Sequence, residues 1–351
     1  MGRRTVTVAR VRLWGRTIGA VSWNDDRDSA YFEYDPAFVP GGRQVAPRTM
    51  PLANEIYSFP ALPRQTFHGL PGLLADSLPD RFGNALIDAW LARQGRDPGD
   101  FNAVERLCYV GPRGMGALEF LPARGPTHRS ARVDVAALVE LASDILTRRA
   151  ALEGSLAPAC REQVLQDILR VGTSAGGARA KAVIAWNPET DEVRSGQIEA
   201  GDGFSHWLLK FDGVAGNRDR ELDDPQGYGL IEYAYHAMAR AAGIQMTECR
   251  ILRENGRHHF MTRRFDRTDT GRKIHMQSLG TLALNGKRDG FEVDDFVACA
   301  RNASLKRGRA TAILRDVQEA VSRWREFAEA AGVPAHSMRR IGTAHRTDLL
   351  P

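Results

Sequence analysis

Val171-Gly172-Thr173-Ser174-Ala175-Gly176-Gly177-Ala178-Arg179-Ala180-Lys181 runs directly into Ala182-Val183-Ile184-Ala185-Trp186, and Trp207-Leu208-Leu209-Lys210-Phe211 follows a polar segment, 187–203. Each apolar run is short and bounded by turn residues, which predicts buried strands with a hairpin and loop between them. Downstream, 229–242 predicts a helix with Leu230, Tyr233, Ala234, Ala237, Met238 and Ala241 on one face. Asn255-Gly256 predicts a tight hairpin whose second strand runs into Arg264-Phe265. A long amphipathic helix over 309–331 is expected to close the chain, carrying Ile313, Val317, Val321, Trp324 and Ala328.

Upstream, helix is expected at 133–150 and at about 161–170. Residues 122–132 have linker composition, and a domain boundary is placed there. Before it lie an alternating, turn-rich stretch over 5–35 that predicts a small antiparallel sheet, and a Pro- and Gly-rich loop over 36–65. Helical spacing begins near Pro71 with Leu73, Leu74, Leu78, Phe82, Leu86, Ile87 and Leu91. A Gly-rich stretch, Tyr109 to Phe120, follows. The expected class is α+β.

The 351 residues suffice for a core without disulfides or metal, and 43% hydrophobic with 26% charged composition excludes a disordered chain. No window approaches the length of a membrane span, the first residues form no signal peptide, and the expected compartment is the cytoplasm. Cys108, Cys160, Cys249 and Cys299 form no CxxC pair, so neither a zinc module nor a disulfide framework is indicated. The net charge of +5 permits nucleic-acid contact without demanding it. Of 48 basic residues only five are lysine: Lys181, Lys210, Lys273, Lys287 and Lys306. In so Arg-rich a chain, a Lys marks a place where a compact ammonium is needed.

The Gly-rich turn, Lys210 in a strand, Glu232 on the next helix and Arg264-Phe265 after a hairpin follow the order of a protein-kinase N-lobe. A lysine inside an apolar strand needs an anion, because a buried unpaired ammonium costs several kcal/mol or more. Either Glu232 alone supplies it as a structural pair, or a nucleotide shares it. Each feature also has a plainer reading: an ordinary turn, a turn serine at Ser174, or a snorkelling Lys210. The turn misses a Walker A loop, since Ala178 stands where lysine is required, and GxGxxG, GxSxG and HExxH are all absent. Neighbouring strand residues His258 and His259 point to opposite faces and cannot chelate one metal.

On three stretches the chain closely resembles the HipA family, the kinase-fold toxins of bacterial type II toxin–antitoxin modules. They are Tyr109-Val110-Gly111 through Phe120; Ser174 to Lys181 with Leu208-Leu209-Lys210-Phe211; and Leu284-Asn285-Gly286-Lys287-Arg288-Asp289-Gly290-Phe291 with Asp294-Asp295-Phe296. The resemblance implies a protein-kinase-like two-lobed fold: a small β-rich N-terminal domain (1–125), then a kinase core (126–351) with an N-lobe over 133–283 and a shortened helical C-lobe over 284–351. It implies an ATP- and Mg-dependent Ser/Thr kinase acting on a protein of translation. It also implies a HipB-type helix-turn-helix antitoxin partner and, through that complex, operator DNA. Lys210 matches the phosphate-binding lysine, Glu232 the helix acid and Phe265 the adenine-side aromatic. Gly176, Gly177 and Lys181 join them as cofactor-binding candidates, and Ser174 matches the autophosphorylated serine.

The chain departs from the family after Met276-Gln277-Ser278-Leu279-Gly280. Relatives continue into a motif of the form N-x-D-D-H-x-K-N and a second, Mg-binding aspartate. Here Leu279-Gly280-Thr281-Leu282-Ala283 passes straight to Leu284-Asn285-Gly286-Lys287. None of Asp266, Asp269, Asp289, Asp294, Asp295, Asp316 and Asp348 has the motif's His and Asn beside it, so no catalytic base and no metal ligand is assigned. Catalysis is therefore expected to be absent or very weak. The alternatives are a catalytically dead, antitoxin-binding pseudokinase that aids repression, or a non-functional deletion product. With C-lobe sequence missing, apolar surface is expected to be exposed along Leu279–Leu284 and on the inner face of the last helix at Val317, Val321 and Trp324.

Overall fold

The computed structural model describes residues 7–41, 43–125, 132–148, 167–169, 171–172, 179–197, 200–214, 226–268, 270–277 and 290–350. The fold is α+β and divides into two compact units: Met1–Asp224 with Arg264–Gln277, and Pro225–Arg263 with Ser278–Pro351. These units do not follow a single boundary near residue 125. No helix among the described residues is long and apolar enough to cross a membrane.

In the first unit, β1 (Val8–Leu13), β2 (Arg16–Asn24), β3 (Ser29–Tyr34), β4 (Ile56–Tyr57) and β5 (Leu118–Leu121) form an antiparallel sheet in the order β4-β3-β2-β1-β5. The alternation in the sequence dictates its faces: Ala9, Val11 and Leu13 are buried, while Arg10 and Arg12 between them are not. Against the buried face pack Leu73, Leu74, Val104 and Leu107, joining Ile18, Val21, Phe32 and Phe120 in one core.

The helical spacing that starts near Pro71 is not one helix. After α1 (Arg64–Phe67), α2 (Gly72–Ala75) stops before Pro79, and α3 (Arg81–Arg93) starts afresh. Pro79 disfavours the helical conformation at the residue before it, and Asp80 caps the new helix through Gly83 N at 2.7 Å. Next, α4 (Ala103–Val110) is buried on most sides and is fixed at its start by a capping box. Asn102 accepts from Glu105 N at 2.9 Å, and Glu105 accepts from Asn102 N at 3.3 Å. Asn102→Ala is expected to cost about 1 kcal/mol, read as a lower denaturation midpoint at unchanged slope. An unaltered midpoint would show that tertiary packing alone holds α4.

Helix α5 (Val135–Arg148) precedes the second sheet region, where β6 (Lys181–Trp186) lies between β7 (Val193–Ser195) and β8 (Ser205–Lys210), antiparallel to both. All six residues of β6 are buried, as its unbroken apolar run requires. Trp186 and Trp207 meet edge to face at 5.9 Å.

In the second unit, α6 (Tyr228–Ala241) packs on the hairpin of β9 (Cys249–Glu254) and β10 (Arg257–Arg263), which turns at Asn255-Gly256 as expected. Gly229 allows that approach: a Cβ there would lie 1.7 Å from His258 O. The helices α7 (Val293–Asn302), α8 (Arg309–Ser322), α9 (Trp324–Ala331) and α10 (Ala335–Ala344) complete the described part.

Two expectations are corrected here. The helix over 309–331 breaks at Arg323 (φ −90°, ψ 15°), and a further helix, α10, follows Pro334. The inner face at Val321 and Trp324 is not exposed. Trp324 and Ala328 are buried with Ile231, Ala234, Met238 and Val333, Val321 packs against that core, and Val317 is half-buried. Trp324 Nε1 also donates to Met338 O at 3.0 Å, so α10 covers what the sequence left open. The run Leu279–Leu284 lies outside the described residues.

Candidate functional site

Two of the lysines singled out from the sequence are cross-strand neighbours. Lys181 opens β6, Lys210 ends β8, and the antiparallel register sets them opposite one another, both on one face of the sheet. Lys181 is 1% exposed and ion-paired with Asp80, the capping residue of α3, itself almost fully buried. Burial pushes the Asp80 carboxyl above its usual range, while Lys181 and the N–H groups of Gly83 and Phe82 pull it back. Lys210 is half-buried. Glu232 lies half-buried on α6 in the other unit. Ser174, Gly176 and Gly177 lie outside the described residues, as does the junction over 278–289.

Phe265 sits just after β10 and is 60% exposed, whereas its neighbours Arg264 and Asp266 are buried. Asp266 Oδ1 accepts from Arg264 Nε at 2.8 Å, and Oδ2 from Arg264 Nη2, Arg267 Nη1 and Gly116 N, each at 2.7 Å. Burial alone would raise the Asp266 carboxyl. The hydrogen bond and charge of Arg264, the charge of Arg267 and the Gly116 N–H outweigh it, and the net direction is down. Burial first, and then the charge of Arg264, hold Arg267 down to about 10. Lys273 reaches the same neighbourhood, donating to Pro112 O at 2.6 Å and to Glu119 at 2.7 Å.

Sequence reasoning missed Asp80 and Arg267, and it named Lys273 only as one of the five lysines, without a role. The scarcity of lysine was the usable signal, because Lys181 and Lys273 each hold a carboxylate in a confined setting. Among the described residues, no three His, Cys, Asp or Glu side chains come together in a way that could hold a metal ion. Asp266, next to Phe265 in the chain, is committed to arginines. A polar cleft of about 830 Å³ elsewhere in the first unit is lined by Trp23, Arg64, His68, Arg96, Phe101 and Arg106, among others. It contains none of the residues singled out from the sequence. Its arginines are engaged: Arg64 with Asp28, Arg96 with Glu105 at 3.6 Å, and Arg106 with Asp88 at 3.1 Å.

Two family models match the chain, the HipA N-terminal domain over residues 9–121 and the HipA-like C-terminal domain over residues 173–324. No curated protein matches. Among solved structures, the chain is similar to one from the Shewanella oneidensis MR-1 toxin–antitoxin system HipA, HipB and its operator DNA complex. The two are 16% identical, the match covers 89% of this chain and 68% of that one, and the TM-score is 0.47.

Proposed function

Because this chain belongs to the HipA family, we propose that it is the toxin-type member of a toxin–antitoxin pair, with a kinase-type nucleotide-binding frame that binds far better than it transfers. Its partner is a helix-turn-helix antitoxin, and operator DNA is reached through that complex. Lys210 is the ammonium toward which the phosphates are drawn, while Lys181, its cross-strand neighbour, is buried in its ion pair with Asp80 and supports the strand rather than the ligand. Glu232 is the acid that orders Lys210. Gly176 and Gly177 flank the phosphate side, Ser174 is the phosphorylatable serine of the loop, and Phe265 stacks on the base. Phe265 carries this reading. A large aromatic held out to solvent between two buried neighbours is suited to a planar ligand rather than to the core.

ATP would supply the transferable phosphoryl group. Positioned Mg²⁺ and a residue orienting the nucleophile are what phosphoryl transfer relies on. The described residues offer no set that fits the metal, and the sequence lacks the family's catalytic motif, so transfer is absent or very weak. The dead-binder reading follows: the chain pairs with its antitoxin and aids repression without phosphorylating a protein of translation.

Incubating the purified chain with Mg·ATP and weighing it by mass spectrometry tests this. No phosphate on Ser174 is expected, together with weak ATP binding that EDTA leaves nearly unchanged. Stoichiometric phosphate on Ser174, or tight binding that vanishes with EDTA, would overturn it.

A further inference from the structure

The segment after β10 is tied down by backbone hydrogen bonds on both sides of Phe265. On one side, Arg264 N donates to His206 O at 2.9 Å, tying the segment to β8. On the other, Asp266 O accepts from Ile274 N at 2.9 Å, which closes the segment on itself. The Asp266 carboxylate joins these local ties to a turn 150 residues earlier, through Gly116 N. Arg267 doubles the link, donating to Gly116 O and Gly114 O, both at 3.1 Å.

The tip of the turn is shaped for a residue without a side chain. Gly116 has φ +73°, and a Cβ there would lie 2.8 Å from Met276 Cγ. Phe265 has little packing of its own. Its direction is therefore set by a backbone whose flanking residues are clamped, and one end of the clamp is the Gly111–Gly116 turn.

We propose that Asp266 is a positioning residue that couples the Gly111–Gly116 turn of the N-terminal part to the presentation of Phe265. Base stacking at Phe265 and the conformation of that turn are then linked. Whatever displaces the turn lowers nucleotide affinity, and bound nucleotide stabilises the turn in return. This rests on the reading of Phe265 as the base-stacking residue.

The test uses the full chain, with ATP binding followed by saturation-transfer NMR and amide exchange read over 111–118 and 264–268 without nucleotide. Phe265→Ala should weaken ATP by roughly tenfold, the scale of one base–aromatic stack, and leave exchange over 111–118 unchanged. Asp266→Asn should speed exchange in both segments and weaken ATP by a similar factor. The double variant should bind no worse than Phe265→Ala alone, a non-additivity that a merely structural role does not produce. Gly116→Ala perturbs the link from the other end and should behave as Asp266→Asn does, which keeps the test decisive if the latter fails to fold. Wild-type affinity in Asp266→Asn or Gly116→Ala, or losses that add to that of Phe265→Ala, would overturn the coupling while base stacking stands. If the wild type does not bind ATP, or if Phe265→Ala binds as the wild type does, the stacking role falls and the coupling with it.

Discussion

Lys181→Met lowers the stability of the first unit by about 3–5 kcal/mol, the cost of removing one partner from a buried ion pair. The pair has almost no solvent to fall back on: Lys181 is 1% exposed, and Asp80 lies beneath the start of α3. With the ammonium gone, the remaining pull on Asp80 is that of the backbone N–H groups, and burial drives its carboxyl further upward. A carboxyl whose folded-state value is raised favours the folded state below its unfolded value, near 3.8, and loses that contribution as pH rises. The deficit of Lys181→Met therefore shrinks on acidification and is smallest below that value. Adding Asp80→Asn restores the greater part of the loss at neutral pH, because no charge is then left stranded. Denaturation followed by the fluorescence of Trp186 and Trp207, which share the sheet with Lys181, reads the wild type and both variants. A loss below 1 kcal/mol in Lys181→Met would mean that water reaches the site.

Asp266→Ala has a comparable cost, about 3–5 kcal/mol, for the opposite reason. It strands two buried guanidinium groups, those of Arg264 and Arg267, which the carboxylate holds together. Its pH signature is also reversed. The Asp266 carboxyl is depressed in the folded state, so its contribution is fully present above the ordinary aspartate value and is lost as pH falls through the depressed one. Wild-type protein should thus shed stability steeply below about pH 4, whereas Asp266→Ala should follow a flatter profile from a lower plateau. Parallel profiles for the two would remove Asp266 from the acid transition.

The local grammar of the chain was legible where one run of residues decides one element. Ala182–Trp186 is apolar without interruption and becomes β6; Asn255-Gly256 makes the hairpin. The break at Arg323 was not, because apolar spacing continues through it and no Pro or Gly marks it. Nor was α10, whose His336, Arg339 and Arg340 disguise an element that shields Trp324. At the site, Lys210 and Lys181 could be singled out, but not that they face each other. That depends on strand register, and the partner of Lys181 lies 101 positions away.

The first unit is discontinuous: it needs Arg264–Gln277, which the chain supplies only after Pro225–Arg263 of the second unit. During synthesis the N-terminal sheet can therefore form early, but Gly116 N and Glu119 wait for acceptor and donor until Asp266 and Lys273 have left the ribosome. At about 5–20 residues per second, that leaves the nascent unit open for roughly eight to thirty seconds. A chaperone or protease acting in that interval meets an unfinished first unit, and a fragment ending anywhere before residue 264 never leaves that condition.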